Sequence, residues 1–284
     1  MGQTGNIFRK AAAIFQKFPR RFFKIREDVH PLVRIALGLL PVLVIIAVWA
    51  LLTRGKAESR VISPLILPAP CEVLRSFHSL WFDAELSRSI VASTIRVIGG
   101  FLIGLAAAFP LGVFMGAFSN VKALFSPLAT FGAYLPIPTL VPLTMSLFGI
   151  GEYQKIMFLA LAFFVYLLPL FVKAVDSVDN VFLQTAYTLG ADRWQILRRV
   201  LLGISLPQIF HAMRLGFGIG WTYIILAEMV AADRGLGTII IIAQRRGPRE
   251  HIYLVLVVIV LIAFITDKVW AWLERLFFPY LEHK

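Results

Sequence analysis

Residues 156–175 read IMFLALAFFVYLLPLFVKAV, a run with one charge, Lys173, and no alternation of polar with apolar side chains. At about 1.5 Å rise per residue, a helix of that length spans about 30 Å, the hydrocarbon thickness of a bilayer. A membrane-barrel strand would alternate over about ten residues, so the run reads as a helix and a barrel is disfavoured. Comparable runs stand at 33–52, 90–118, 125–149, 209–232 and 252–272. The 284-residue chain is 59% hydrophobic and 15% charged, with mean hydropathy +0.81, more apolar than one soluble core of this size can bury. The fold class is therefore an all-α membrane protein with about six transmembrane helices.

The formal charge of +12 raises the question of an acidic partner, and its placement answers it. With the N-terminus inside, the inner segments hold about sixteen Lys and Arg and the outer ones, Lys155 included, about ten. The bias puts both termini in the cytoplasm and calls for no nucleic acid. The expected division is a basic arm at 1–32, a first span at 33–53, an outer connection at 54–88, a five-span core at 89–276 with an inner loop at 176–206, and a tail at 277–284. In the arm, Arg9, Lys10, Lys17, Arg20, Arg21 and Lys24 interleave with Ile and Phe, which suits a helix on an anionic leaflet or a solvated topogenic tail. The run at 33–52 is too long for a signal-peptide core, so an uncleaved anchor is expected.

Catalytic chemistry is hard to place. The one cysteine, Cys71, allows no internal disulfide, and His30, His78, His211, His251 and His283 fall in separate segments without ligand spacing, so no metal is expected. No Gly-x-x-x-x-Gly-Lys-Ser/Thr loop is present to cradle a nucleotide.

Local signals are sharper. Leu67-Pro68-Ala69-Pro70 sets an extended entry to a short helix opening at Cys71-Glu72-Val73-Leu74. Gly100, Gly104, Gly112 and Gly116 form two small-xxx-small spacings suited to close helix approach. Pro136, Pro138 and Pro142 interrupt the third run, and a broken helix in hydrocarbon is tolerated where it meets protein or a water-filled pathway. Residues 181–189 read as a short helix ended by Gly190. Asp192 followed by Gln195 reads as a capping box that starts a second amphipathic helix at 193–202.

Ionisable residues within spans usually face a cavity or a partner. Arg214 and Glu228 lie fourteen positions apart, about 21 Å along a straight helix, and cannot pair within it. Arg214 is near the inner end, where it can snorkel to headgroups or line a pathway. Glu228 is near the outer end, within reach of Arg234. Arg96 shares that depth and can hydrogen-bond either a neighbouring carbonyl or Glu228; the shared depth suggests that Arg96 and Glu228 hold an outer gate.

At the inner loop the chain resembles the permease subunits of binding-protein-dependent ABC importers, whose signature is Glu-Ala-Ala, three residues, Gly, then an apolar stretch ending in Leu-Pro. The matching residues are Gln184-Thr185-Ala186, Gly190-Ala191-Asp192-Arg193-Trp194 and Leu206-Pro207. Arg214, Trp221, Ala227-Glu228-Met229 and Gly235-Leu236-Gly237 resemble the nitrate, sulfonate, taurine and bicarbonate branch. So do Leu67-Pro68-Ala69-Pro70, Arg96, Pro136, Pro138, Pro142-Leu143, Gly149-Ile150-Gly151 and Leu273-Glu274-Arg275, and the resemblance covers residues 60–280. Two departures stand out. Gln184 and Thr185 replace the first two signature residues, and Gly203 stands where the branch often has a proline.

The resemblance implies a type I importer permease fold in a prokaryotic inner membrane. It implies a homodimer or pseudo-symmetric pair enclosing one pathway, an outer substrate-binding protein and two ATPase subunits seated on the inner loop. The chain itself would be no enzyme and hold no cofactor, with ATP and magnesium on the ATPase. The coupling residues would be Gln184, Thr185, Ala186, Gly190, Ala191, Asp192, Arg193 and Trp194. Pathway or gate residues would be Pro136, Pro138, Pro142, Arg96, Arg214, Trp221 and Glu228. The cargo would be a small anion. A secondary transporter or channel would instead predict an inverted repeat and mid-membrane ionisable groups, and a lipid-modifying enzyme a clustered catalytic set; neither pattern is clear in the sequence.

Overall fold

The computed structural model describes residues 30–55, 60–230 and 232–280. Most of the basic arm, and residues 281–284 of the tail, lie outside the described residues. The chain forms two compact units, Met1–Ile62 and Ser63–Lys284.

In the first unit, helix α1 (Pro31–Leu52) starts on a proline, whose missing N–H is not called for in a first turn. It closes where the Thr53 N–H and hydroxyl both donate to the Trp49 carbonyl, at 3.1 and 2.8 Å. Its 22 residues are long and apolar enough to cross a membrane.

The second unit contains α2 (Pro70–Arg75), α3 (Phe77–Phe82), α4 (Leu86–Ala117), α5 (Ser119–Ala133), α6 (Leu140–Phe148), α7 (Glu152–Asp176), α8 (Asn180–Thr188), α9 (Arg193–Glu228), α10 (Leu236–Arg246) and α11 (Arg249–Phe277). No strand occurs among the described residues. Helices α4, α7, α9 and α11 can each span. The pair Ser119–Ala133 and Ile137–Phe148 is apolar enough to span but bends by 90°, giving up to six spans with α1, the expected count.

Helix α7 is the hub, packed along α4 and against α9. The glycine ladder makes the first contact possible. A Cβ added at Gly100 would lie 2.5 Å from the Leu159 Cβ, one at Gly104 2.7 Å from the Ala160 carbonyl oxygen, and one at Gly112 2.6 Å from the Phe171 Cβ. In lipid, where apolar burial drives helices together weakly, such close backbone approach supplies the dispersion contact. Phe101 of α4 then gathers the other helices, with its ring 5.3 Å from Phe163, 5.2 Å from Phe217 and 5.8 Å from Trp270.

The prolines of the third run make one break. Pro136 sits at the bend, whereas Pro138 falls in the 3₁₀ turn Ile137–Thr139 and Pro142 in the first turn of α6, where N–H groups have no intrahelical partner to lose. The helix expected at 193–202 does not stop there. It continues through a π-helical stretch, Ile196–Leu201, into the fifth span. The stretch 233–251 contains α10.

Candidate functional site

The elements that carry the signature are built from caps. The Asp179 carboxylate accepts the Val181 N–H at 3.0 Å and starts α8. At its end Gly190 adopts φ +81°, its N–H donates to the Tyr187 carbonyl and the Ala191 N–H to the Ala186 carbonyl, both at 3.0 Å. These two bonds around a left-handed residue are a Schellman motif, so the signature's Ala and Gly are the two ends of one helix stop. Two residues on, Asp192 Oδ1 accepts the N–H groups of Trp194 and Gln195 at 2.8 Å, while Gln195 accepts the Asp192 N–H at 3.0 Å. The turn is thus specified residue by residue.

Ala186 is buried and Ala191 half-buried, whereas Gln184, Thr185, Gly190, Asp192, Arg193 and Trp194 are exposed. Trp194 meets the end of α4, its ring 6.3 Å from Phe114 and 6.4 Å from Phe118, with the Arg198 guanidinium 5.9 Å from its centroid. Around it Phe182, Tyr187 and Leu189 stand exposed, Leu189 by 82%. A cluster of exposed apolar side chains on a rigid turn is the mark of an interaction surface.

At the opposite end of α7, Arg96 is 3% exposed and fully engaged. Its guanidinium makes a fork to Glu152, Nε to Oε2 at 2.6 Å and Nη2 to Oε1 at 2.7 Å, and Nη1 donates to Glu228 at 2.6 Å and to the Arg234 carbonyl at 2.7 Å. Glu228, buried, also accepts from the Ser93 hydroxyl at 2.7 Å and the Gly237 N–H at 2.9 Å, and Ser93 accepts the Leu236 N–H at 3.0 Å. Lys155, 2% exposed, donates to Glu152 at 2.9 Å. Two cations and two carboxylates form a neutral cluster that ties α4, α7, α9 and the first turn of α10 together.

Arg96 and Glu228, singled out from the sequence, are brought into contact, and Arg96 also reaches a carbonyl, that of Arg234; the parts of Glu152, Lys155 and Ser93 were not foreseen. Lys155, counted with the outer cations, is buried inside α7, and Arg234 pairs with Glu85 at 3.3 Å, not with Glu228. The i, i+3 spacing of Glu152 and Lys155 at the mouth of a span was the available signal.

Arg214 does not snorkel. Its Nε and Nη2 hold both oxygens of Asp267 on α11 at 2.6 and 2.9 Å, Nη1 reaches Glu274 at 3.1 Å, and His211 Nδ1 lies 3.3 Å from the same carboxylate. Asp267 was legible as the acidic residue of an apolar run, the usual sign of a partner. Trp221 is 1% exposed, and its Nε1 has no hydrogen-bond partner among the described residues. Pro136 lines a cavity, while Pro138 and Pro142 are exposed elsewhere on the bend. Among the described residues no three of His, Cys, Asp and Glu converge as a metal site.

The chain has known relatives. The chain is 32% identical to the taurine transport system permease protein TauC of Escherichia coli strain K12, over 94% of this chain and 97% of that one. It is 28% identical to the putative aliphatic sulfonates transport permease protein SsuC of Bacillus subtilis strain 168, over 84% and 85%. Its fold matches a structure of the MetNI methionine ABC transporter in an inward-facing conformation, with a TM-score of 0.62 at 20% identity over 70% of this chain and 98% of that one. Residues 100–279, more than half of the chain, match the family model for binding-protein-dependent transport system inner membrane components, and the chain belongs to that family of ABC importer permeases.

Proposed function

We propose that this permease works as one of two like copies enclosing a single pathway, with two ATPase subunits on the cytoplasmic side and a substrate-binding protein on the outer side. Both termini are cytoplasmic in this reading, so Glu152, Glu228 and α10 face outward, and α8 with Asp192 inward. ATP and magnesium belong to the ATPase. The cargo is a small organic anion of the sulfonate class, a reading supported by the names of the relatives TauC and SsuC.

The observation that carries the reading is the turn from Asp179 to Gln195. Its caps fix α8 against the start of α9, and α9 continues without interruption to Glu228. A push on the exposed apolar surface at Tyr187 and Leu189 is therefore delivered to a spanning helix whose far end lies in the Arg96 cluster. Gln184, Thr185, Ala186, Gly190, Ala191, Asp192, Arg193 and Trp194 form the coupling element. Arg96 and Glu228 hold the outer gate, and Arg214 holds α9 to the C-terminal part of α11. Pro136, Pro138, Pro142 and Trp221 belong to the pathway side. Such a device suits two-state rigid-body motion. The test is co-purification of the chain with an ATPase subunit: the wild type retains it, Gly190→Pro abolishes it, and a wild type that retains none contradicts the reading.

A further inference from the structure

Two cavities of the Ser63–Lys284 unit lie in series on the same helix. The first, of about 410 Å³, opens at the break of the third span and is lined by Pro136, by Tyr166 and Pro169 of α7 and by Tyr223 of α9. The second, of about 510 Å³, lies toward the C-terminal end of α7 and is lined by Lys173, Gln208, His211 and Glu274. Leu170 lines both. Each volume suits a small solute.

Their chemistry differs in a directed way. The first carries no formal charge. Neither the Tyr166 nor the Tyr223 hydroxyl has a hydrogen-bond partner among the described residues, and Pro169 has no N–H to offer the Val165 carbonyl one turn back. In the second, Glu274 is engaged by Arg214 and His211 at 3.1 and 3.3 Å, while Lys173 has no acidic partner among the described residues. An anion leaving the first cavity thus meets a free cation in the next.

We infer that the two cavities are consecutive stations of one route for a small organic anion, with Leu170 as the apolar constriction between them. The inference rests on the proposed function for its direction and cargo class. Uncharged hydroxyls can replace part of an anion's hydration without trapping it, which a buried cation at that depth would do. A single leucine between the two cavities closes the route by excluding water and opens it with a small displacement of α7 against α9.

The test uses the assembled complex in lipid vesicles, with Cys71→Ser and single cysteines at Tyr166, Tyr223 or Lys173. The probe is a small, membrane-impermeant methanethiosulfonate bearing a sulfonate, added to one side at a time. Val260→Cys on α11, where the side chain is 66% exposed, is the control. Tyr166→Cys and Tyr223→Cys react at least tenfold faster than the control, and Leu170→Ala accelerates outer-side labelling of Lys173→Cys at least tenfold. Labelling at 166 and 223 as slow as at 260, or an unchanged rate at 173, overturns the route. ATPase co-purification is scored separately, so its loss counts against the proposed assembly and not against the route.

Discussion

Arg214 and Asp267, 53 residues apart, meet through two nearly parallel hydrogen bonds of 2.6 and 2.9 Å between α9 and α11. A forked pair of this kind fixes orientation as well as distance, and lysine cannot reproduce it. Asp267→Asn is expected to lower stability by about 1.5–3 kcal/mol, the range for hydrogen bonds to charged groups, because both side chains remain partly exposed. Arg214→Lys is expected to lose nearly as much. Thermal unfolding in detergent checks both, and an unchanged midpoint for Arg214→Lys would contradict the forked geometry.

The cluster around Arg96 is neutral as a whole, so removing one charge should cost more than removing an opposite pair. Arg96→Gln or Glu228→Gln alone leaves a buried charge uncompensated, expected to cost about 3–5 kcal/mol. The double variant should recover a large part of that loss. A double-mutant cycle on unfolding midpoints measures it, and strictly additive effects would mean that the two side chains act independently.

The glycine ladder gives a graded prediction. Gly104→Ala drives a Cβ into the Ala160 carbonyl and the Phe163 Cβ, both at 2.7 Å, and is expected to destabilise by about 1–3 kcal/mol through forced separation of α4 from α7. Gly99→Ala meets only the Ile156 side chain at 3.5 Å and should be tolerated. Comparable unfolding temperatures for the two variants would rule out this packing.

At Gly190 the constraint is backbone conformation, since an added Cβ meets nothing within 4 Å at φ +81°. Gly190→Asn should therefore keep the Schellman stop and ATPase association, Gly190→Ala should weaken them by about 1–2 kcal/mol, and Gly190→Val by more. Pull-down with the ATPase at graded salt orders the three, and equal retention of all three would show that the left-handed turn is dispensable.

The sequence made the spans legible because each is a continuous apolar run. It made the Ala186–Gly190–Asp192 turn legible because helix caps are local, with every partner within five residues. Arg96 and Glu228 could be matched only by shared depth. Glu152 escaped because it lies 56 positions from Arg96 and sits at a span boundary, where a carboxylate looks ordinary. The helix expected to end at residue 202 runs on, because its continuation depends on packing of α9 against α7, which no local pattern records. The inner pair of Arg214 was missed because Asp267 lies 53 positions away on another helix, with no local pattern to join them.

The central claim is that the α8 turn seats an ATPase on the cytoplasmic side. A photo-crosslinking amino acid at Leu189, 82% exposed at the tip of that turn, tests it in intact cells. A covalent adduct with the ATPase subunit, lost in Gly190→Pro, is the expected result. An adduct only with an extracytoplasmic protein, or labelling of Leu189→Cys by an impermeant thiol reagent added outside the cell, would contradict it.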